Sequence, residues 1–245
     1  MKIAHISDFH LRWHLPGTSA VPARLSRRMP ELVEVAVQQI NAHAPDLVVV
    51  SGDLVDHPFE AMDSPENRAM GKADLALIAG LLQQCNAPTA ILYGNHDHPG
   101  LFHQVFDRLA LDFPLCGHRV LTFLDAEGEN NYPERIGAQW DRFEALTADG
   151  DPRPQIHLQH YLVAPERNQD YPHTYRNADR IKARLLADGR VRLLLNGHYH
   201  PGVDLFCEEG VYFSTAPAFC QAPHAFRMYT LEDENITQEE YTLDI

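Results

Sequence analysis

The sequence predicts an α/β fold, because short, nearly continuous apolar runs of strand length alternate with stretches of helical period, and polar clusters punctuate them. The runs are Ile3 to Ser7, Leu47 to Ser51, Ala90 to Tyr93, Ile156 to Gln159 and Val191 to Asn196. Such runs suit strands covered on both faces. With 245 residues, 44% apolar and 22% charged, the chain can bury one sizeable core, and a single domain over 1–245 is expected.

The first helix is expected over Pro30 to His43, where Leu32, Val35, Ala36 and Ile40 share a face. The second is expected over Ser64 to Cys85, since serine caps free N–H groups and Pro65 is tolerated in a first turn. The order to this point is β-α-β-α-β. A third helix follows Pro99, a fourth covers Arg176 to Asp188, and the tail from Val203 to the end alternates like antiparallel strands. Asp56 to Asp63, Ala126 to Pro133 and Val163 to His173 read as surface loops long enough to rim a pocket.

A formal net charge of −14 argues against a nucleic-acid polymer as partner, because gripping a phosphate backbone takes clustered cations. Only Arg24, Arg27 and Arg28 cluster, and they read as the solvated start of a helix. Cys85, Cys116, Cys207 and Cys220 contain no C-x-x-C pair, so reduced structural thiols are expected. Met1 to Ser7 runs directly into a strand, and Asp8 and His10 interrupt any signal-peptide core. No window is apolar enough to span a bilayer, so no membrane partner and a cytoplasmic location are expected. Oligomeric state leaves no mark in the sequence.

The chemistry is signalled by position, and the 15 histidines are its raw material. Each predicted strand ends in side chains that bind metals: Asp8-Phe9-His10, Gly52-Asp53-Leu54-Val55-Asp56, Gly94-Asn95-His96-Asp97, His160, and Gly197-His198-Tyr199-His200. Singly, each has a plain reading as a turn, a tight bend or a hydrogen-bonded histidine. Gly-His-x-His is the most specific, since residues separated by one point to the same side of an extended segment. In open α/β sheets ligands bind beyond the carboxyl ends of strands, so the five clusters should converge.

In that order the clusters resemble the calcineurin-like metallophosphoesterase family, whose pattern is D-x-H, G-D-x-x-D, G-N-H-D/E, a histidine, then G-H-x-H. The match spans 8–200, and Ile-Ser-Asp-Phe-His-Leu at the start most resembles the bacterial branch with class III cyclic-nucleotide phosphodiesterases. The resemblance implies a four-layer α/β/β/α sandwich of two mixed sheets. It also implies two divalent transition-metal ions, one held by Asp8, His10, Asp53 and His200, the other by Asp53, Asn95, His160 and His198. Nitrogen and oxygen ligands suit manganese, iron, zinc, cobalt or nickel without choosing among them. A water bridging the two ions would attack phosphorus, His96 would serve the leaving group, and Asp56 would hold His96 in its tautomer.

The fourth cluster departs from the pattern: relatives often show His-His, where this chain has Gln159-His160-Tyr161. His157 is the rival ligand to His160, and Tyr161 belongs either to the substrate pocket or to the core. Asp97 is given no catalytic role. His5, His14, His43, His57, His98, His103, His118, His173 and His224 have no motif, although His14 and His98 lie near enough in sequence to meet substrate. The expected activity is hydrolysis of a small phosphate ester, a phosphodiester foremost, with cyclic nucleotides among the candidates. The competing readings are a DNA nuclease of the same superfamily and a silent interaction scaffold.

Overall fold

The computed structural model describes residues 1–232 and 235–243. β1 (Lys2–Ile6), α1 (Met29–Ala42), β2 (Leu47–Ser51), α2 (Pro65–Leu82) and β3 (Thr89–Leu92) follow one another in the predicted order. β1 pairs in parallel with β2 and β2 with β3, so all three carboxyl ends open on one edge. α1 buries Leu32, Val33, Ala36, Val37 and Ile40, a stripe at helical spacing, and Val35 is half-buried beside it. α2 begins at Ser64, whose hydroxyl accepts the Asn67 N–H at 3.2 Å. α3 (Pro99–Val105) comes next, with the His98 ring accepting the Gly100 N–H at 3.1 Å.

Apart from the loop expected at Ala126 to Pro133, the next stretch shows no period that predicts an element. It folds as the hairpin β4 (Asp112–Leu115) and β5 (His118–Thr122), the small ribbon β6 (Ala126–Glu127) and β7 (Pro133–Glu134), and α4 (Gly137–Ala148). β4 has a proline at its centre, which only an edge strand tolerates, and it forms the edge of its sheet. α4 buries only Trp140, Phe143 and Leu146, too thin a stripe to stand out. Ala126 to Pro133, expected as irregular loop, therefore carries strand pairing, and Asp56 to Asp63 carries a helical turn at Phe59–Ala61. β8 (Gln155–Leu158), α5 (Ala178–Asp188) and β9 (Val191–Asn196) then appear where expected.

The tail does consist of strands, but not as one meander. β10 (Val203–Glu208) and β11 (Val211–Thr215) form a hairpin whose second strand lies parallel to β9. The chain then crosses, and β12 (Ala225–Leu231) with β13 (Ile236–Thr242) pairs antiparallel onto β1. Residues 233–234 and 244–245 of this tail lie outside the described residues. The sheets run β13-β12-β1-β2-β3 and β10-β11-β9-β8-β5-β4.

Alternation along β9 shows how the layers stack. Leu193 and Leu195 join Ile156 and Leu158 in the core shared with the first sheet and with α1 and α2. Leu194 points the other way, with Leu121 and Phe213, onto Phe143 of α4 and Ile181 and Leu185 of α5. The architecture is the expected α/β/β/α sandwich of two mixed sheets. Beneath the second sheet Arg135 is fully buried, paired with Asp125 at 2.7 Å and stacked 4.0 Å from the Phe123 ring. Among the described residues no helix is long and apolar enough to cross a membrane, and all four cysteines are free thiols.

Candidate metal centre

The strand ends converge because the loops after β1 and β2 continue to pair beyond the sheet. Gly52 O accepts the Asp8 N–H at 3.1 Å, Asp53 O accepts the His10 N–H at 2.9 Å, and Leu54 O accepts the Leu11 N–H at 3.0 Å. This locks Asp8 (φ 57°), His10 (φ 45°) and Asp53 (φ 51°) in the left-handed region, and His198 (φ 67°) is held there too, with its N–H 3.2 Å from the Asp8 carboxylate. Such conformations cost about 1–3 kcal/mol each without glycine's freedom, and they concentrate where side chains are aimed for function.

Two groups of ligand atoms result. His10 Nε2 lies 3.2 Å from His200 Nε2, 3.4 Å from Asp53 Oδ2 and 4.0 Å from Asp8 Oδ1. His200 Nε2 is 3.8 Å from the same Asp8 oxygen. On the other side His160 Nε2 lies 3.5 Å from Asp53 Oδ1 and 3.3 Å from Asn95 Oδ1, and His198 joins His160 and Asp53 within metal-binding range. Ligand atoms about 2.1 Å from one cation sit roughly 3–4.2 Å from each other, depending on the angle between them, so these spacings fit a divalent ion in each group. The two oxygens of Asp53 face different groups, as a bridging carboxylate requires. His198 Nε2 is buried with no hydrogen-bond partner among the described residues, a lone pair that a cation would take.

The supporting shell is equally specific. The Ser51 carbonyl lies 2.6 Å from His160 Nδ1, which puts the ring proton there and leaves Nε2 free to ligate. Asp53 Oδ1 also accepts the His96 N–H at 2.9 Å. Gly94 and Gly197 are required by close approach: a methyl at Gly94 would overlap Asp53 Oδ1 and lie 2.5 Å from His160 Nε2, and one at Gly197 would overlap Ser7 Oγ and lie 2.8 Å from Asp8 Oδ2. Burial pushes Asp53 up, but His160, His96 and His10 outweigh it and leave this carboxyl well below its ordinary range. Burial alone dominates at Asp8, which is pushed up to about 6.

His96 and Asp56 sit beside the first group. His96 Nδ1 is 2.8 Å from Asp56 Oδ1, although the ring N–H is not aligned on that oxygen. Burial pulls His96 down, but Asp53 and Asp56 outweigh it and hold it above its ordinary value. Asp56 also receives Arg12 Nε at 2.9 Å and faces His10 Nδ1 at 3.7 Å. It therefore braces both a ligand histidine and His96.

Elsewhere the sequence reading is refined. His157, the rival ligand, points into the core with Nε2 2.8 Å from Gln155 Oε1, away from the centre. Gln159 is a structural residue, its amide accepting from Arg135 Nη2 at 2.8 Å and donating to Tyr161 O at 3.0 Å. Tyr161 is a core residue, buried against the His160 and His198 rings. Asp97 ties the loops after β2 and β3 together, accepting the N–H groups of Leu54, Val55 and Gly94 at 2.9–3.0 Å. His14 is held by Asp74 and His98 by Arg68, and neither lines the cleft.

The cleft over the centre encloses about 280 Å³. Besides His96 and the candidate ligands, its walls are Arg24, Phe59, Tyr171 and His173, none of them singled out by a motif. Arg24 corrects the reading of the arginine cluster as a solvated helix start: its side chain is 12% exposed and faces the centre. Cys220, expected only as a structural thiol, is buried with its sulfur in metal-binding range of His10 and His200. A bigger cavity of about 670 Å³, walled by Tyr132, Pro165, Lys182 and Glu208 among others, shares no residue with the centre.

Comparisons with known proteins agree with this arrangement. A probable cyclic nucleotide phosphodiesterase from Fibrobacter succinogenes is 24% identical over 178 residues, which is 69% of this chain and 63% of that relative, so the match spans less than two thirds of its length. A dimetal phosphatase from Danio rerio superposes with a TM-score of 0.74 at 18% identity, covering 98% of this chain and 96% of its own. A purple acid phosphatase from yellow lupin seeds superposes with a TM-score of 0.67 at 12% identity, covering 98% of this chain and 51% of its own. These likenesses extend the shared fold to distant relatives. The sequence pattern of the calcineurin-like phosphoesterases matches residues 1–202, and with all five motif clusters gathered at one end of the sandwich the chain belongs to the calcineurin-like phosphoesterase family.

Proposed function

We propose that this chain hydrolyses a small phosphate ester, a phosphodiester foremost, at a dinuclear centre formed by Asp8, His10, Asp53, Asn95, His160, His198 and His200. The observation that carries this reading is Asp53, whose two oxygens each face a separate group of ligand atoms. A bound pair of divalent cations would supply Lewis acidity toward phosphate oxygens and a deprotonated water near neutral pH. His96, on the cleft wall beside Asp56, gives a proton to the departing oxygen. Asp56 fixes the orientation of the His96 ring from 2.8 Å.

A cleft of about 280 Å³ suits one phosphoryl group with a compact substituent rather than a polymer. Phe59 and Tyr171 on its rim offer flat apolar faces to a planar substituent, which favours a nucleotide, cyclic or linear, over an aliphatic ester. The test is hydrolysis of a bis-aryl phosphodiester beside an aryl phosphomonoester, in manganese and in chelator, by wild type and Asp53→Ala. Manganese-dependent diesterase activity, lost in the variant together with both bound metals, is the expected result. A wild-type chain that binds no metal pair, or an Asp53→Ala variant with undiminished turnover, would refute the reading.

A further inference from the structure

Arg24 brings to the cleft a guanidinium whose hydrogen-bonding capacity the protein meets only in part. It sits in the long connection between β1 and α1, pinned by the hydrogen bonds Arg12 N–H to Ser26 O at 3.1 Å and Leu25 N–H to Cys220 O at 2.8 Å. Its neighbour across the cleft, Asp56, is already matched by Arg12 at 2.9 Å and by His96 at 2.8 Å. Arg24 Nη1 reaches Asp56 Oδ1 only at 3.5 Å. The other near atom is His10 Nδ1 at 3.3 Å, which carries its own proton once Nε2 serves a cation and then accepts nothing from arginine.

The guanidinium therefore has donors to spare, and Nε is buried with no acceptor among the described residues. Burying an unmet charged donor is costly, and placing it beside two divalent cations adds repulsion. An anion in the cleft relieves both. The guanidinium lines that cleft together with Asn95, His96, His198 and His200, and its planar fork of N–H groups matches the oxygens of a phosphoryl group.

We infer that Arg24 is a phosphate-binding residue that donates N–H bonds to the nonbridging phosphate oxygens of substrate and product. This rests on the dinuclear reading above. Arg24 is not a metal ligand, so its removal leaves the cations in place and weakens the hold on phosphate.

The test compares metal-loaded wild type, Arg24→Gln and Arg24→Lys by metal content, by calorimetric binding of inorganic phosphate, and by kcat and KM on the bis-aryl diester. The expected result is two metals per chain in all three proteins and phosphate affinity weakened about 10- to 100-fold in Arg24→Gln, the effect of losing charge-assisted hydrogen bonds. KM should rise in step, and Arg24→Lys, which keeps charge without the fork, should fall between. Unchanged phosphate affinity in Arg24→Gln would overturn the inference and leave Arg24 as a partner of Asp56 only. So would loss of metal from Arg24→Gln with recovery of metal and phosphate binding together in Arg24→Lys, since that marks structural support. A wild type that binds no metal pair fails earlier, and refutes the dinuclear reading itself.

Discussion

His96 is the residue to which the proposed mechanism gives chemistry without a cation to hold. Its backbone N–H is committed to Asp53 and its ring nitrogen lies 2.8 Å from Asp56, so carboxylates flank it on two sides. His96→Ala should keep both metals and lose about 10²–10⁴-fold in kcat on an alkyl ester, the usual reach of general acid catalysis. An aryl ester, whose leaving group needs no proton, should suffer far less. Equal losses on both esters, or loss of metal, would contradict this division of roles. Gly94 makes the complementary point, since its missing side chain is what lets Asp53 and His160 meet. Gly94→Ala should fold yet lose metal, and metal analysis showing a full complement would refute that expectation.

At the scale of elements, the connection from β1 to α1 has no regular structure of its own, yet it carries Arg24 to the cleft and Arg12 to Asp56. What holds it is Asp74 of α2, a fully buried carboxylate that accepts the N–H groups of Trp13, His14 and Leu15 at 3.2, 2.7 and 3.1 Å. Asp74→Ala leaves one buried donor, at Leu15, and two partly buried ones unmet, so it should destabilise the fold by roughly 1–3 kcal/mol. Because the same connection positions Arg24, phosphate binding should weaken as well. A urea midpoint within error of wild type would show that the connection is held by something else.

For the whole molecule, buried histidines couple the fold to pH. Burial, reinforced by Arg135 and Arg142, drives His157 well below its ordinary value of 6.5, so the folded protein keeps this ring neutral. The unfolded chain takes up a proton there below pH 6.5 and the folded chain does not. The stability owed to the neutral ring is thus complete above pH 6.5 and declines as pH falls, by up to about 1.4 kcal/mol per unit. Urea denaturation at pH 7.5 and 5.5 should show a shallower loss in His157→Gln than in wild type, the other histidines titrating alike in both. Identical losses would mean that His157 is protonated within the fold.

The sequence by itself determined the β-α-β-α-β start, the seven ligand candidates and their family, because these depend on local period and on residue types at fixed offsets from strand ends. Asp8, His10, Asp53, Asn95, His160, His198 and His200 are legible for that reason. Only the structure shows that His160, and not His157, lies among the other candidates, since this turns on which way each ring points from its chain. Two of the loops expected to rim a pocket do so, but only the structure shows that Phe59, Tyr171 and His173 are the side chains they bring, and that Arg24 joins them. Those residues lie on irregular connections, whose path is fixed by distant partners such as Asp74 and Cys220 and so leaves no period in the sequence. The tail divided between two sheets for the same reason: strand character is local, but the choice of neighbouring strand is settled by long-range packing.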